Sequence, residues 1–423
     1  MVIRLLKSIA LSVSLAGLSL GCQPSWNLTN SVSKPVTVKL SGWGASPVEK
    51  RLLLEVLKDF ERSHPQIRVK FEVISDQYMD VLKTRLIGDA APDVFYLDAV
   101  EAPFLMQADV LEPLNPYISS SFNLGDFEPT LLQPFYQGKT LYGLPKDYST
   151  LVLFYNQQAF RAAGLTNPPQ TWDELMTDAK RLTLDQNKDG KPEQYGLGLS
   201  PELARLVYVT QAYGGQAADV QGHAAFAEPK AIQGLQQIVD QYRSARTAAL
   251  PSDVGSSSGS DMLGQEKVAM GIEGNWAIPY LQENFPTLKF GTAELPKMNR
   301  RSGTMVFTVA YVMNRRAKHK PEAWALINYL TGKDGMRKWT SSGFALPTRR
   351  SVARQLRYDR DRLRSPLVKG VTYATPWQIG RYPTPIMTAF NNQFLSALLG
   401  EQSLETALQR AQKNANSQIQ GDQ

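Results

Sequence analysis

Hydrophobic positions recur along this chain in two periods, and their order sketches the molecule. The run "PVEKRLLLEVLKDFERSHP" places Leu53, Val56, Leu57 and Phe60 at helical spacing. "QIRVKFEVIS" then alternates strictly, with Ile67, Val69, Phe71 and Val73 on one face, which predicts a strand. "QYMDVLKTRLIG" predicts a second helix, and "PDVFYLD" is a short apolar run fenced by Pro92 and Asp98, as a buried strand requires. A β-rich segment, "PVTVKLSGWG", precedes all of these and breaks at Gly42. Strand, helix, strand, helix, strand is the order of a parallel, doubly wound α/β sheet. Ligands of such sheets sit beyond the carboxyl ends of the strands, which puts the turns at Trp43 and Asp98 on one rim.

A second series begins at "GKTLYGLPKDYSTLVLFYNQQAF", which reads as a hairpin, a buried strand and a helix ending at Gly164. Thr171 with Glu174 three residues on forms a capping box, so a helix opens there. Helices are expected over about 201–213 and 229–246. "KVAMGIEGNWAIPYL" predicts a strand, a glycine-broken turn bearing Trp276, then a helix. "FGTAELP" and "TMVFTVAYVMN" return to strand patterning. "KPEAWALINYLTG" is a helix with Pro321 near its first position and Gly332 at its end. The C-terminal third is helical, with Ser403 placed to cap the last helix.

At 423 residues, 43% of them hydrophobic, the chain exceeds one ordinary core, and two domains are expected. Charged residues make up 20% with both signs interspersed, for a net +7. Removing residues 1–21, which carry Arg4 and Lys7, leaves 7 − 2, or about +5. The densest basic run, "MNRRAKHKPEAW", reads as a solvated face, so nucleic acid is not an expected partner. "MVIRLLK" followed by "IALSVSLAGLSLG" reads as a secretory signal, too short for the roughly 20 residues that span a bilayer. Its end, Gly21–Cys22, resembles the bacterial lipobox, in which the cysteine is acylated and becomes residue one; Ser19 stands where that motif has Leu. The other reading is a plain signal cleaved nearby, leaving a free thiol. Residues 1–21 are thus assigned to the signal, and 22–35 to a lipidated N-terminus and polar tether. Cys22 is the only cysteine, so the cores must stand without a disulfide.

Enzyme chemistry finds little to work with. The three histidines, His64, His223 and His319, lie in polar segments or at helix edges. "GSSSG" at 255–259 matches G-x-S-x-G but follows "LPSDV" rather than a strand, and reads as a mobile loop. There is no P-loop, dinucleotide fingerprint or HExxH. In "DQNKDGKPEQYG", Asp185, Asn187, Asp189 and Glu193 stand at positions 1, 3, 5 and 9 of a calcium loop, with Gly196 where a bidentate Glu belongs. An Asx-rich turn explains the same letters. A weak structural Ca²⁺ site is the one cofactor the sequence offers.

The segments "FERSHPQIRVKFEV", "APDVFYLD", "GKTLYGLPKDYSTLVLFYN", "PPQTWDEL", "DQNKDGKPEQYGLG", "VAMGIEGNW", "KPEAWALINYLTGKDG" and "GFALPTR" occur in one order over most of residues 36–350. Together they resemble extracellular solute-binding proteins serving ATP-driven carbohydrate importers, related to the maltose- and trehalose-binding proteins. The resemblance implies the two-lobed periplasmic-binding-protein fold of class II type, with discontinuous α/β lobes, a hinge and a ligand cleft between them. On that pattern 36–147 plus 297–333 form the N-terminal lobe and 148–296 plus 334–423 the C-terminal lobe, with crossings near Lys146–Tyr148 and Leu295–Lys297. It also implies a non-enzymatic, monomeric receptor outside the cytoplasmic membrane. Its ligand would be a di- or oligosaccharide or related glycoside, handed to a permease pair with cytoplasmic ATPases. Two alternatives stay open: the same fold taking a glycerol phosphodiester or other solute, and a secreted glycoside hydrolase with an inconspicuous carboxylate pair.

A sugar needs acceptors that take two hydrogen bonds and aromatic rings to stack on. Asp98 ends a buried strand, where a carboxylate has no packing role. Asp147 and Tyr148 fall at the expected hinge, Trp276 follows two glycines and Trp43 follows Gly42. In the family, positions matching Asp98, Asp147 and Trp276 touch the sugar, while Trp43 and Gln77 lie in cleft-lining segments. Trp377 and Arg381, in "TPWQIGRYPTP", are expected to contribute from the second lobe, Arg381 being the candidate for a phosphate. Trp324 and Trp339 are expected in the core, and Trp172 is expected to pack at a helix start.

Overall fold

Two sheets organise the chain, and each strand's burial follows from its place in them. The computed structural model describes residues 34–44 and 47–421; Cys22, the signal and most of the tether lie outside the described residues. The strands are β1 (Val36–Gly42), β2 (Ile67–Val73), β3 (Val94–Asp98), β4 (Tyr136–Gln137), β5 (Thr140–Leu141), β6 (Gly143–Thr150), β7 (Val152–Asn156), β8 (Tyr195–Gly198), β9 (Ala248–Ala249), β10 (Val268–Glu273), β11 (Phe290–Ala293), β12 (Met305–Met313) and β13 (Thr375–Pro376). The first sheet runs β13–β12–β3–β1–β2, with β6 also paired to β12. In it β1 is parallel to β2 and β3, as the doubly wound pattern requires, while β12 is antiparallel to both β3 and β6. The edge strand β2 keeps its polar alternation, whereas β3, flanked on both sides, buries Val94 through Leu97. The second sheet runs β11–β7–β10–β8–β9, and β4–β5 form the small hairpin.

Alternate residues of β7 enter different cores. Leu153 joins a cluster with Trp172, Leu175, Phe390 and Leu408. Val152 and Phe154 join another with Met262, Leu281, Leu346 and Leu367. The period-2 geometry of one strand therefore covers the second sheet on both faces. A separate cluster surrounds the first sheet and includes Leu53, Val56, Leu57 and Phe60 of the helix Pro47–Ser63. Met336, Trp339 and Val352 also belong to it, so the helix Lys333–Thr340 packs with the first sheet.

The chain passes from the first sheet to the second between Thr150 and Val152, so the expected crossing at Lys146–Tyr148 falls inside β6, slightly upstream. It returns between β11 and β12, and Thr304 Oγ1 donates to the Leu151 carbonyl at 2.6 Å where the two crossings touch. Local signals behave as chemistry dictates. Thr171 Oγ1 accepts from the Glu174 amide at 3.2 Å and the Glu174 carboxylate accepts from Gln170 N–H at 2.6 Å, opening Trp172–Leu182. The "GSSSG" run differs from expectation. Ser258 Oγ accepts from the Asp261 amide at 3.1 Å and starts a helix, Gly259–Gly264, inside it. Among the described residues no helix is long and apolar enough to cross a membrane.

Candidate functional site

The site grows from one rung of the first sheet. Asp98 of β3 and Asp147 of β6 both face Val309 of β12, one on each side. Residues paired across strands point to one face, so the two carboxylates share it, about 10 Å apart at two strand spacings. The next pair on this face is Phe307 with Ser149. Asp147, Ser149, Phe307 and Val309 are all partly exposed, while Tyr148, Thr150, Val306 and Thr308 between them are buried. That alternation marks the open face of the sheet.

A bulge sets the electrostatics of the rung. The register shifts between Val309 and Ala310, which leaves Lys146 as an extra residue beside Asp147. Lys146 is buried, with 3% of its side chain exposed, and its ammonium pairs with the Asp147 carboxylate. It also lies 4.8 Å from the Tyr96 ring centroid and 4.4 Å from that of Trp339. Trp339 Nε1 donates to Asp147 Oδ2 at 3.0 Å. One oxygen of Asp147, Oδ2, is therefore taken up by two groups of its own protein. Asp98 differs: its carboxylate accepts from the Val100 amide at 3.3 Å, and among the described residues no cation pairs with it. Burial pushes its pKa up to about 6, with Glu101 and Asp147 adding to the rise against the backbone amides. Glu101, for its part, is paired to Lys83 at 3.0 Å.

Across the rung stands Trp276, 39% exposed, its ring edge-on to Phe307 at 5.9 Å. Its loop turns at Gly274, where any Cβ would lie 2.3 Å from the indole. The Asn275 amide donates to Ser149 Oγ at 2.7 Å, and the Asn275 side chain donates to the Gly343 and Phe344 carbonyls at 2.9 Å. The loop is thus tied to the strand that carries Asp147. Trp276 Nε1 donates to Glu273 Oε2 at 2.8 Å. Glu273 is 2% exposed, and burial raises its pKa while Arg205 and the indole N–H oppose the rise. The Arg205 guanidinium lies 5.5 Å from the Trp276 ring centroid, bonds the Ile272 carbonyl at 2.9 Å, and pairs with Glu202 and Glu273, each at 3.4 Å.

The other expected residues divide. Trp43 meets Tyr78 and Tyr96 edge-on at 5.0 and 5.3 Å, and Gln77, exposed in a left-handed conformation, precedes the helix Tyr78–Ile87; both lie beside the Tyr96–Asp98 rim. Tyr148 does not join the site. Strand alternation turns its ring to the opposite face, into the core with Val152 and Leu346. Trp377 is buried at 5% exposure in the core of the second sheet, because its amide is bonded to Val306 O at 2.8 Å and the ring turns inward. Its neighbour Gln378 reaches the Asp98 turn instead, donating to the Ala99 and Pro134 carbonyls at 2.9 Å. Arg381 is exposed, 5.3 Å from the Tyr382 ring and beside Gly222. In the calcium-like loop one oxygen each of Asp185, Asn187, Asp189 and Glu193 accepts from a loop amide at 2.8–3.0 Å, as in an Asx turn, while Asp185 Oδ1 is buried with no hydrogen-bond partner. Among the described residues no group of three or more His, Cys, Asp or Glu is placed to hold a metal.

Sequence reasoning missed Lys146, Ser149, Arg205, Glu273 and Phe307. Glu273 was within reach, since it closes the buried run "VAMGIE" as Asp98 closes "VFYLD". Phe307 follows from the alternation of "TMVFTVAYVMN" once its open face is known. Arg205 carries no local signal.

Comparison with known proteins places this geometry. The model of a family described as bacterial extracellular solute-binding protein matches residues 44–337. A binding protein of Brucella abortus is 30% identical over 307 residues, 71% of this chain and 73% of its own. The multiple sugar-binding protein of Streptococcus mutans is 25% identical over 301 residues, 68% of this chain and 69% of its own. Among solved structures, a substrate-binding protein of Listeria monocytogenes in complex with cycloalternan aligns at a TM-score of 0.80 and 20% identity, over 91% of this chain and 99% of its own. The shared fold is the two-lobed α/β binding-protein fold expected from the sequence.

Proposed function

Since the chain belongs to the bacterial extracellular solute-binding proteins, we propose that it captures a di- or oligosaccharide between its lobes and delivers it to an ATP-driven importer. It does so outside the cytoplasmic membrane, held there through Cys22. The observation that carries this reading is that Asp98, its carboxylate bonded to backbone amides, shares an open sheet face with Phe307, against which the exposed ring of Trp276 stands. A carboxylate free to accept two hydroxyls and a ring face for C–H stacking are what a sugar asks of a protein. Leaving buried polar groups unpaired costs about 1–3 kcal/mol each, so a hydroxyl-rich guest is selected by completing the set.

The charges favour a neutral guest. Lys83, Lys146 and Arg205, the basic side chains beside the rung, are each paired to carboxylates. A phosphate would have to break one of these pairs. The same pairing works against hydrolysis, which needs two carboxyl groups free to act as acid and base or nucleophile. Asp147, Glu101 and Glu273 are each committed to a partner. Lobe closure gives the importer a signal, because a guest that touches both walls binds the closed state differentially.

The test is calorimetry and tryptophan fluorescence against disaccharides, linear oligosaccharides and a glycerol phosphodiester. Micromolar or tighter binding of at least one saccharide, recovered unchanged, is expected. Binding of the phosphodiester alone, or release of hydrolysed sugar, would overturn the proposal.

A further inference from the structure

The "GSSSG" run is not absorbed by the site described above, yet it is packed directly beneath Trp276. Any Cβ on Gly259 would stand 2.1 Å from Glu273 Oε1, the carboxylate group that holds the Trp276 indole. From there the run braces a second ring. Ser257 Oγ donates to one oxygen of Asp261, and the Tyr280 hydroxyl donates to the other. Tyr280 is 36% exposed and lies one turn after Trp276 on the helix Ala277–Asn284, its amide 3.4 Å from the Trp276 carbonyl. Residues four apart share a helix face, with Cβ atoms about 6 Å apart.

Both rings are built alike. Each has its polar edge fixed by a carboxylate, Glu273 for the indole and Asp261 for the phenol, and each leaves surface open to solvent. A stacking surface whose orientation is fixed in advance loses little side-chain entropy when a ligand arrives. Each ring also meets a phenylalanine edge-on, Phe307 for Trp276 at 5.9 Å and Phe285 for Tyr280 at 6.2 Å, which steadies its plane. We infer that Tyr280, positioned by Asp261 and the serine run, forms an outer stacking subsite for further units of the saccharide whose inner unit lies at Trp276. This rests on the saccharide reading above and narrows it: the preferred guest is a linear oligosaccharide of three or more units.

Calorimetry on the full mature protein with gluco- and manno-oligosaccharides of two to five units tests the subsite. Wild-type affinity should rise at least tenfold from the disaccharide to the tetrasaccharide of the bound series. Tyr280→Ala and Tyr280→Leu, the latter keeping bulk without a ring face, should erase that gain and leave the disaccharide within twofold of wild type. Tyr280→Phe should keep most of it. Wild-type binding that does not change with length removes the outer subsite and leaves the cleft reading standing. So does an equal loss at every length in both ring-deletion variants. If no member of either series binds, the saccharide reading falls and the subsite with it.

Discussion

The open face of the first sheet takes its side chains from three strands in register, whereas the Trp276 ring stands on a loop tied down by Asn275, its indole fixed by one buried carboxylate. On the sheet face, position follows from pairing: Asp98, Val309 and Asp147 face the same way because β3, β12 and β6 are bonded to one another. At the loop, position follows from packing and local hydrogen bonds, with Gly274 making room, Asn275 tying the backbone to Ser149 and Glu273 fixing the indole. The difference separates two demands on a binding site. Acceptors must be aimed within a few tenths of an ångström, which strands provide. A stacking ring needs only a fixed plane, which a braced loop can supply.

Removing the ring breaks the comparison most severely. Trp276→Ala deletes the stacking surface but leaves Glu273 paired with Arg205. Affinity for the bound saccharide should fall at least 100-fold, about 3 kcal/mol. Circular dichroism and the unfolding midpoint should stay near wild type, because the residue is exposed. An unchanged dissociation constant in calorimetry would remove Trp276 from the site.

Asp147→Asn separates position from binding on the sheet face itself. Asp147 shares the rung with Asp98, yet its carboxylate neutralises a lysine enclosed by Tyr96 and Trp339. Leaving that ammonium without its partner should cost about 2 kcal/mol of stability. Denaturant titration of the ligand-free protein would show it as a lower midpoint at constant slope. Affinity should change less than for Trp276→Ala. A variant that keeps full stability but loses binding would make Asp147 a direct ligand contact.

These contrasts also mark what could be read from the sequence. Strand ends were legible: a carboxylate closes "VFYLD" and a tryptophan follows two glycines, and the structure stands Trp276 against Phe307, on the sheet face that carries Asp98. The face of a strand was not legible without its register. Asp147 and Tyr148 are neighbours in sequence, yet one lies on the open face and the other in the core, and the bulge that decides this is visible only against β12. Partners distant in sequence were hidden for the same reason. Arg205 and Glu273 are 68 residues apart, and nothing in either neighbourhood announces the pair. In the calcium-like letters motif spacing and turn chemistry overlap, since Asp185 and Asp189 each accept a loop amide on one oxygen.

The finest test of the two walls is the proton on Asp98. Its pKa, raised to about 6 by burial, means that the ligand-free protein takes up a proton there as pH falls through that value. A saccharide hydroxyl that donates to Asp98 needs the ionised form, so binding should weaken on acidification. At pH 5 about one-tenth of Asp98 would be ionised, and affinity should be roughly tenfold lower than at pH 7.5. Asp98→Asn should flatten that pH dependence while costing up to tenfold in affinity at pH 7.5. Stability runs the opposite way. An acid whose folded pKa lies above its unfolded value disfavours folding where it is ionised, and that cost is relieved progressively as pH falls from about 6 towards the ordinary carboxylate value of about 4. The Asn variant should therefore be more stable than wild type at pH 7.5, by about 1–2 kcal/mol, and gain little on acidification. Affinity lost and stability gained at one position is the signature of a group held ready for a ligand. If Asp98→Asn left the pH dependence of binding intact, the titrating group would lie elsewhere and the sheet face would need a different acceptor.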